Sequence, residues 1–156
     1  MVILQNSNQN RAQQQAQEQL AKQQSCQAAK PEEGRVFTKP EPQTFDKGSI
    51  TELRSEDVTV GTGKEVTSPS ACVTVHYLGN TADGTVFDNS YDRGEPIAFT
   101  LDAVIEGWKE GMIGMKEGGT RRLYIPSDKA YGEAGAGGTI GPNEPLYFSI
   151  ELIKVQ

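Results

Sequence analysis

Apolar and polar residues alternate along most of the chain after residue 48, with the period of two that marks half-buried strands. In "ACVTVHYLG" (71–79), Val73, Val75 and Tyr77 fall on one face and Cys72, Thr74 and His76 on the other. "ADGTVFD" (82–88) places an Asp83-Gly84 turn before a second strand, the pattern of a hairpin. "EPIAFTL" (95–101) predicts a third strand, with Pro96 at its start where a missing donor is tolerated. "GTRRLYIP" (119–126) predicts a fourth that ends at Pro126. In "PLYFSIELIKV" (145–155), Leu146, Phe148, Ile150 and Leu152 alternate with Tyr147, Ser149, Glu151 and Ile153. "SITELRSED" and "VTVGTG" (49–63) are weaker strand candidates.

One stretch has helical spacing, "VIEGWKEGMIGMKEGG" (104–119), which holds the chain's only Trp. Trp108, Met112 and Met115 fall at i, i+4 and i+7 and predict one apolar stripe on a helix of about two turns. Gly107, Gly111, Gly114 and Gly118 form a second stripe. Each interior glycine costs a helix about 1 kcal/mol relative to Ala, so the spacing implies close approach to a concave sheet. The expected architecture is α+β: an antiparallel β half-barrel wrapped around one short α-helix.

The first 47 residues differ in kind. Thirteen of the first 30 are Gln or Asn, too few apolar groups to offset the entropy of ordering a core. Ala12, Ala16, Leu20 and Ala21 recur at roughly helical spacing, so this part is read as a flexible or partly helical tail. "KPEEGRVFTKPEPQTFDKG" (30–48), with its prolines and mixed charge, reads as an extended linker. Two regions result: a Gln-rich tail and Pro-rich linker over 1–47, and a folded domain over 48–156, taken as monomeric.

A net charge of −6 and a single basic doublet, Arg121-Arg122, leave no face for tracking phosphates, so nucleic acid is not a partner. No run of 18 apolar residues is present, so nothing in this chain spans a membrane. The opening "MVIL" before polar sequence allows an upstream anchor outside this chain and a cell-envelope location; a cytoplasmic start is the alternative. Cys26 and Cys72 lie in unlike contexts and suggest neither a disulfide framework nor a zinc spacing, Cys72 being read as a packed strand thiol. His76, the only histidine, is read as facing solvent, and Arg121-Arg122 as a solvated strand feature. With one histidine, metal sites and Ser-His or Cys-His nucleophiles have little to draw on, and no cofactor is expected.

The blocks "VTVHYLG", "DGTVFDNSYDRGEPIAFTL", "VIEGWKEGMIGMKEGG", "RRLYIPSDKAYG" and "PLYFSIELIKV" are collinear, and together they resemble the FKBP-type peptidyl-prolyl cis-trans isomerases over about residues 48–156. The resemblance implies a half-barrel sheet around one helix with a ligand cleft between them. It places Tyr77, Phe87, Asp88, Val104, Ile105, Trp108, Tyr131, Ile140 and Phe148 around that cleft. Trp108 would be its floor, and Tyr77, Phe87 and Phe148 its aromatic walls. The Ile105 N–H and the Tyr131 hydroxyl would be donors to a prolyl peptide. Asp88 would sit near Tyr77 and Arg93, orienting the tyrosine or, as the alternative, polarising the substrate amide.

Departures from the family pattern are Ile97, at a position where many members carry Phe at the pocket mouth, Ala136 in the flap, and "IGPN" at 140–143. They imply retained activity with weaker binding of bulky macrolide inhibitors. The function implied is acceleration of X-Pro isomerisation in proline-containing polypeptides. The alternatives are a non-catalytic proline-binding module or chaperone, and a tail that serves as spacer or oligomerisation arm. Only fourteen residues separate Tyr131 from Leu146, which leaves no room for the large flap insert of chaperone-like members.

Overall fold

A computed structural model describes residues 11–17, 26–31 and 33–156. Residues 11–17 form an exposed helix, α1; Leu20 and Ala21, which the helical spacing included, lie outside the described residues.

Strand β2 (Cys72–Thr81) organises the rest. One edge pairs with β6 (Leu146–Val155), and β6 pairs in turn with β5 (Thr120–Ile125) and β5 with β1 (Arg54–Thr59). The other edge of β2 is shared. β4 (Ile97–Thr100) covers Cys72–Val75 and β3 (Val86–Asn89) covers Leu78–Asn80. All pairings are antiparallel and the sheet does not close on itself. The Asp83-Gly84 turn joins β2 to β3 as the alternation suggests: Gly84 has φ +88°, and Asp83 Oδ1 accepts from the Thr85 N–H at 3.0 Å.

The helix has about the two turns expected, but it ends before the apolar stripe does. α2 spans Glu106–Gly111, with Met112 as its C-cap. Trp108, Met112 and Met115 are all buried, so the apolar stripe is real although its last member lies beyond the helix. The glycines divide into two groups. A Cβ on Gly107 would meet Ile125 at 2.4 Å and one on Gly111 would meet Leu123 at 2.7 Å, so these two permit close packing on β5. Gly114 and Gly118 have φ +89° and +91° and serve turns instead.

Arg121 closes the helix. Its Nη1 donates to the carbonyls of Gly111 at 2.8 Å and Ile113 at 3.0 Å, while Nε donates to Asp57 on β1 at 2.7 Å. A cation thus answers carbonyls that a helix end leaves unpaired. The solvated-doublet reading is corrected for Arg121, which ties β1, β5 and α2 together.

The two faces of β2 have different partners. Val73, Val75 and Tyr77 face the main core with Leu101, Trp108, Phe148, Ile150 and Leu152. The opposite face is covered by the chain's own N-terminal part. Cys72 is joined to Cys26 by a disulfide, the Ala29 N–H donates to Thr74 Oγ1 at 3.1 Å, and Phe37 packs on His76 with ring centroids 4.7 Å apart. Asn80 takes both polar groups of the Gln43 backbone, accepting at 3.2 Å and donating at 2.8 Å. Phe45 then joins Ile50, Tyr124 and Tyr147 in a second small cluster. Two readings are corrected here. Cys72 is not a free thiol, and His76 is only 4% exposed. A strand's outer face is solvated only if nothing lies over it, and here Cys26, Ala29, Phe37 and Gln43 do.

Candidate active site

A cavity of about 440 Å³ opens between α2 and the concave face of the sheet. Trp108 forms its floor. It is 4% exposed and held edge-on by Tyr77, Phe99 and Phe148, with ring centroids at 5.3, 5.6 and 5.3 Å. Phe87 meets Phe148 edge-to-face at 5.6 Å and extends the wall. This packing uses the favoured aromatic geometry, and it requires Gly79. A Cβ there would lie 2.6 Å from the Phe148 ring and 2.8 Å from that of Phe87.

The polar groups are few. The Tyr77 hydroxyl donates to Asp88 Oδ2. Arg93 donates to Asp88 Oδ1 at 3.0 Å and to the Tyr77 hydroxyl at 3.1 Å. Both carboxylate oxygens of Asp88 therefore have a partner within the protein. Burial, followed by the bond to Asp88, pushes the Tyr77 hydroxyl up to about 12, so it stays protonated at any physiological pH. Val104 and Ile105 border the cavity where the chain enters α2. Among the described residues nothing accepts from the Ile105 N–H, whose own carbonyl takes the first helical bonds, from Trp108 at 3.1 Å and Lys109 at 3.2 Å. Tyr131 stands at the mouth, 40% exposed, just after the turn Ser127–Lys129.

Eight residues marked by the family motifs thus line one cavity: Tyr77, Phe87, Asp88, Val104, Ile105, Trp108, Tyr131 and Phe148. Ile97 and Ile140 pack against the core but are not among the lining residues. Phe99 and Ala103 do line it and were not singled out from sequence. Phe99 shares a strand face with Ile97, so the alternation of "EPIAFTL" held the signal. The glycine-rich segment 132–141 folds as a tight hairpin, with Ala136 and Ile140 exchanging backbone bonds at 2.9 and 3.2 Å. Asn143 adopts φ +57° after it.

Comparison with known proteins agrees with this geometry. The family model for "FKBP-type peptidyl-prolyl cis-trans isomerase" matches residues 63–153. A protein of Neisseria meningitidis serogroup A named FK506-binding protein is 51% identical over 102 residues, covering 64% of this chain and 93% of that protein. The FKBP-type peptidyl-prolyl cis-trans isomerase FkpA of Escherichia coli K12 is 48% identical over 110 residues, 70% of this chain but only 40% of that protein. Among solved structures, that of FkpA from Escherichia coli superposes with a TM-score of 0.64 at 45% identity, over 76% of this chain and 53% of that one. A peptidyl-prolyl cis-trans isomerase from Pseudomonas syringae superposes with a TM-score of 0.62 at 41% identity, over 76% and 83% of the two chains. The half-open sheet, the single helix beneath it and the matched span agree: the chain belongs to the FKBP-type peptidyl-prolyl cis-trans isomerase family.

Proposed function

We propose that this isomerase lowers the barrier to X-Pro rotation by desolvating the amide and supporting its twisted form, with no covalent intermediate. The barrier of about 18–20 kcal/mol exists because resonance gives the C–N bond double-bond character. That resonance also places negative charge on the carbonyl oxygen, which water stabilises in the planar amide. Transfer into a cavity walled by Tyr77, Phe87, Phe99, Trp108 and Phe148 removes that stabilisation. The twisted amide, with less charge separation, loses less.

The observation that carries this reading is the aromatic cavity with an unpartnered donor, the Ile105 N–H, at its edge. That donor and the Tyr131 hydroxyl would bind the peptide backbone so that the twisted geometry is the better fit. A millionfold acceleration requires about 8 kcal/mol, within reach of ring burial plus a few placed donors. Asp88 serves as an orienting group rather than a base, since its two oxygens are held by Tyr77 and Arg93.

Proline-containing polypeptides are the substrate class, and macrolides of the FK506 kind would compete in the same cavity. Ile97 packs on the core outside the cavity lining, so its position adds no aromatic contact for such a ligand and the binding is weaker for it. An extracytoplasmic location is supported by the Cys26–Cys72 bridge, because disulfides persist in oxidising compartments. No helix among the described residues is long and apolar enough to cross a membrane.

The test is refolding of a proline-limited protein, whose slow phase takes about 10–100 s unassisted. The full chain should shorten that phase, Phe148→Ala and Asp88→Ala should lose most of the effect, and Tyr131→Phe part of it. Full activity in Phe148→Ala would defeat the cavity reading.

A further inference from the structure

On its β3/β4 edge, β2 has a gap. β4 pairs with residues up to Val75 and β3 with residues from Leu78 on, which leaves His76 and Tyr77 without a strand partner on this edge. Ser90 fills that gap. Its N–H donates to the Tyr77 carbonyl at 2.9 Å, and its Oγ accepts from the Tyr77 N–H at 2.8 Å. The same Oγ lies 2.8 Å from His76 Nδ1, and Ser90 is fully buried. The segment 88–93 thus grips Tyr77 twice. Asp88 and Arg93 hold the hydroxyl in the cleft, and Ser90 holds the backbone beneath it.

The far side of this contact is built from the N-terminal strap. The His76 ring lies between Tyr91, stacked at 4.6 Å and 15°, and Phe37, at 4.7 Å. Tyr91 is fixed in turn by its hydroxyl, which donates to Glu151 at 3.0 Å. His76 sets where Ser90 Oγ can sit, and the strap sets His76.

We infer that Ser90, backed by His76 and Phe37 on the outer face, is a positioning residue that sets Tyr77, and through it Asp88 and Arg93, for catalysis. Nothing in this arrangement touches substrate, and its influence passes through the Tyr77 backbone and hydroxyl. The inference rests on the cavity reading above, in which Tyr77 is a wall of the active site. It extends the machinery across the sheet to residues 37, 76 and 90. The strap, tied to β2 at Cys26–Cys72, then contributes to turnover as well as to stability.

The experiment is a double-mutant cycle in the full, disulfide-bonded chain, measuring both kcat/KM on a prolyl peptide and Tm. Ser90→Ala and Phe37→Ala are each made with Tyr77 and with Tyr77→Phe. Ser90→Ala should lower kcat/KM about tenfold with Tyr77 present and cause little further loss with Tyr77→Phe, because partners that act as a unit are non-additive. Its effect on Tm should be similar in both backgrounds. Phe37 lies outside the sheet, so its variant stays folded if Ser90→Ala does not, and it should show a smaller loss with the same dependence on the Tyr77 hydroxyl. Equal losses in both backgrounds, or an unchanged kcat/KM in both single variants, overturn the inference alone. An unchanged kcat/KM in Tyr77→Phe overturns it together with the role given to the Tyr77 hydroxyl, and leaves the aromatic wall, which Phe retains, untouched.

Discussion

The two faces of β2 carry adjacent residues to opposite ends. Tyr77 points into an aromatic cluster that leaves about 440 Å³ open, while His76 points into one that the chain fills with its own Phe37. The concave cluster is held open because Gly79 makes room for Phe87 and Phe148, and Gly107 and Gly111 bring α2 close without filling the space above Trp108. On the convex side an extended segment lies flat along the strand and meets Cys72, Thr74, His76 and Asn80 in turn. Rigid rings around a void make a binding site, and a strap over a flat face makes a seal. The difference lies in what covers each face, a short helix beneath one and a segment without regular structure along the other.

The largest expected effect lies on the concave side. Trp108→Ala removes a side chain packed on three aromatic rings, and should cost about 3–5 kcal/mol of stability along with nearly all isomerase activity. Chemical denaturation and the peptide assay together check this. A loss below 1 kcal/mol, the scale of an exposed substitution, would mean that the floor is not part of the core.

The next effect breaks the convex seal. Reducing the bridge, or replacing Cys26 and Cys72 by Ser, releases a cross-link 46 residues apart in sequence. It should cost about 2–4 kcal/mol, seen as a lower Tm under reducing conditions in the parent and no such difference in the double-Ser variant. Equal Tm values for oxidised and reduced parent would show that the strap adds nothing.

The smallest effect separates the faces by pH. Burial holds the His76 imidazole below its ordinary 6.5. As pH falls through 6.5 the unfolded chain takes up a proton that the folded chain does not, so stability declines until the folded imidazole is protonated in turn. Between about pH 5.5 and 7.5, where ordinary carboxylates do not titrate, the parent's Tm should fall toward acid and that of His76→Phe should stay level. Identical slopes would mean that His76 is not sealed.

What was legible in the sequence follows this division. The alternation of β2 and β6 identified the residues of the concave face, since a period-two pattern is a direct record of one-sided burial. Trp108, Met112 and Met115 were readable as a stripe for the same reason. The point within that stripe where α2 ends was not, because Gly114 and Gly118 match the helical spacing by position yet adopt positive φ. Nor was the role of Arg121, whose carbonyl partners are fixed by how a helix end lies over β5. The family motifs marked eight of the ten cavity-lining residues. Ile97 and Phe99 share a face, yet only Phe99 lines the cavity, and the alternation alone does not choose between them.

The convex face was the harder one to read. The apolar Leu78, next after His76 on a supposedly solvated face, and Phe37 and Phe45 within a polar linker, were clues that something covers it. None of them names the partner. By itself the sequence determined the strands, the apolar stripe and the family, because these follow from local periodicity and from motifs contiguous in the chain. Only the tertiary structure decided that Cys26 meets Cys72, that Phe37 closes over His76 and that Ser90 bridges a gap in the sheet. Such contacts join residues 13 to 46 positions apart, and no local pattern records which distant segments the packing brings together.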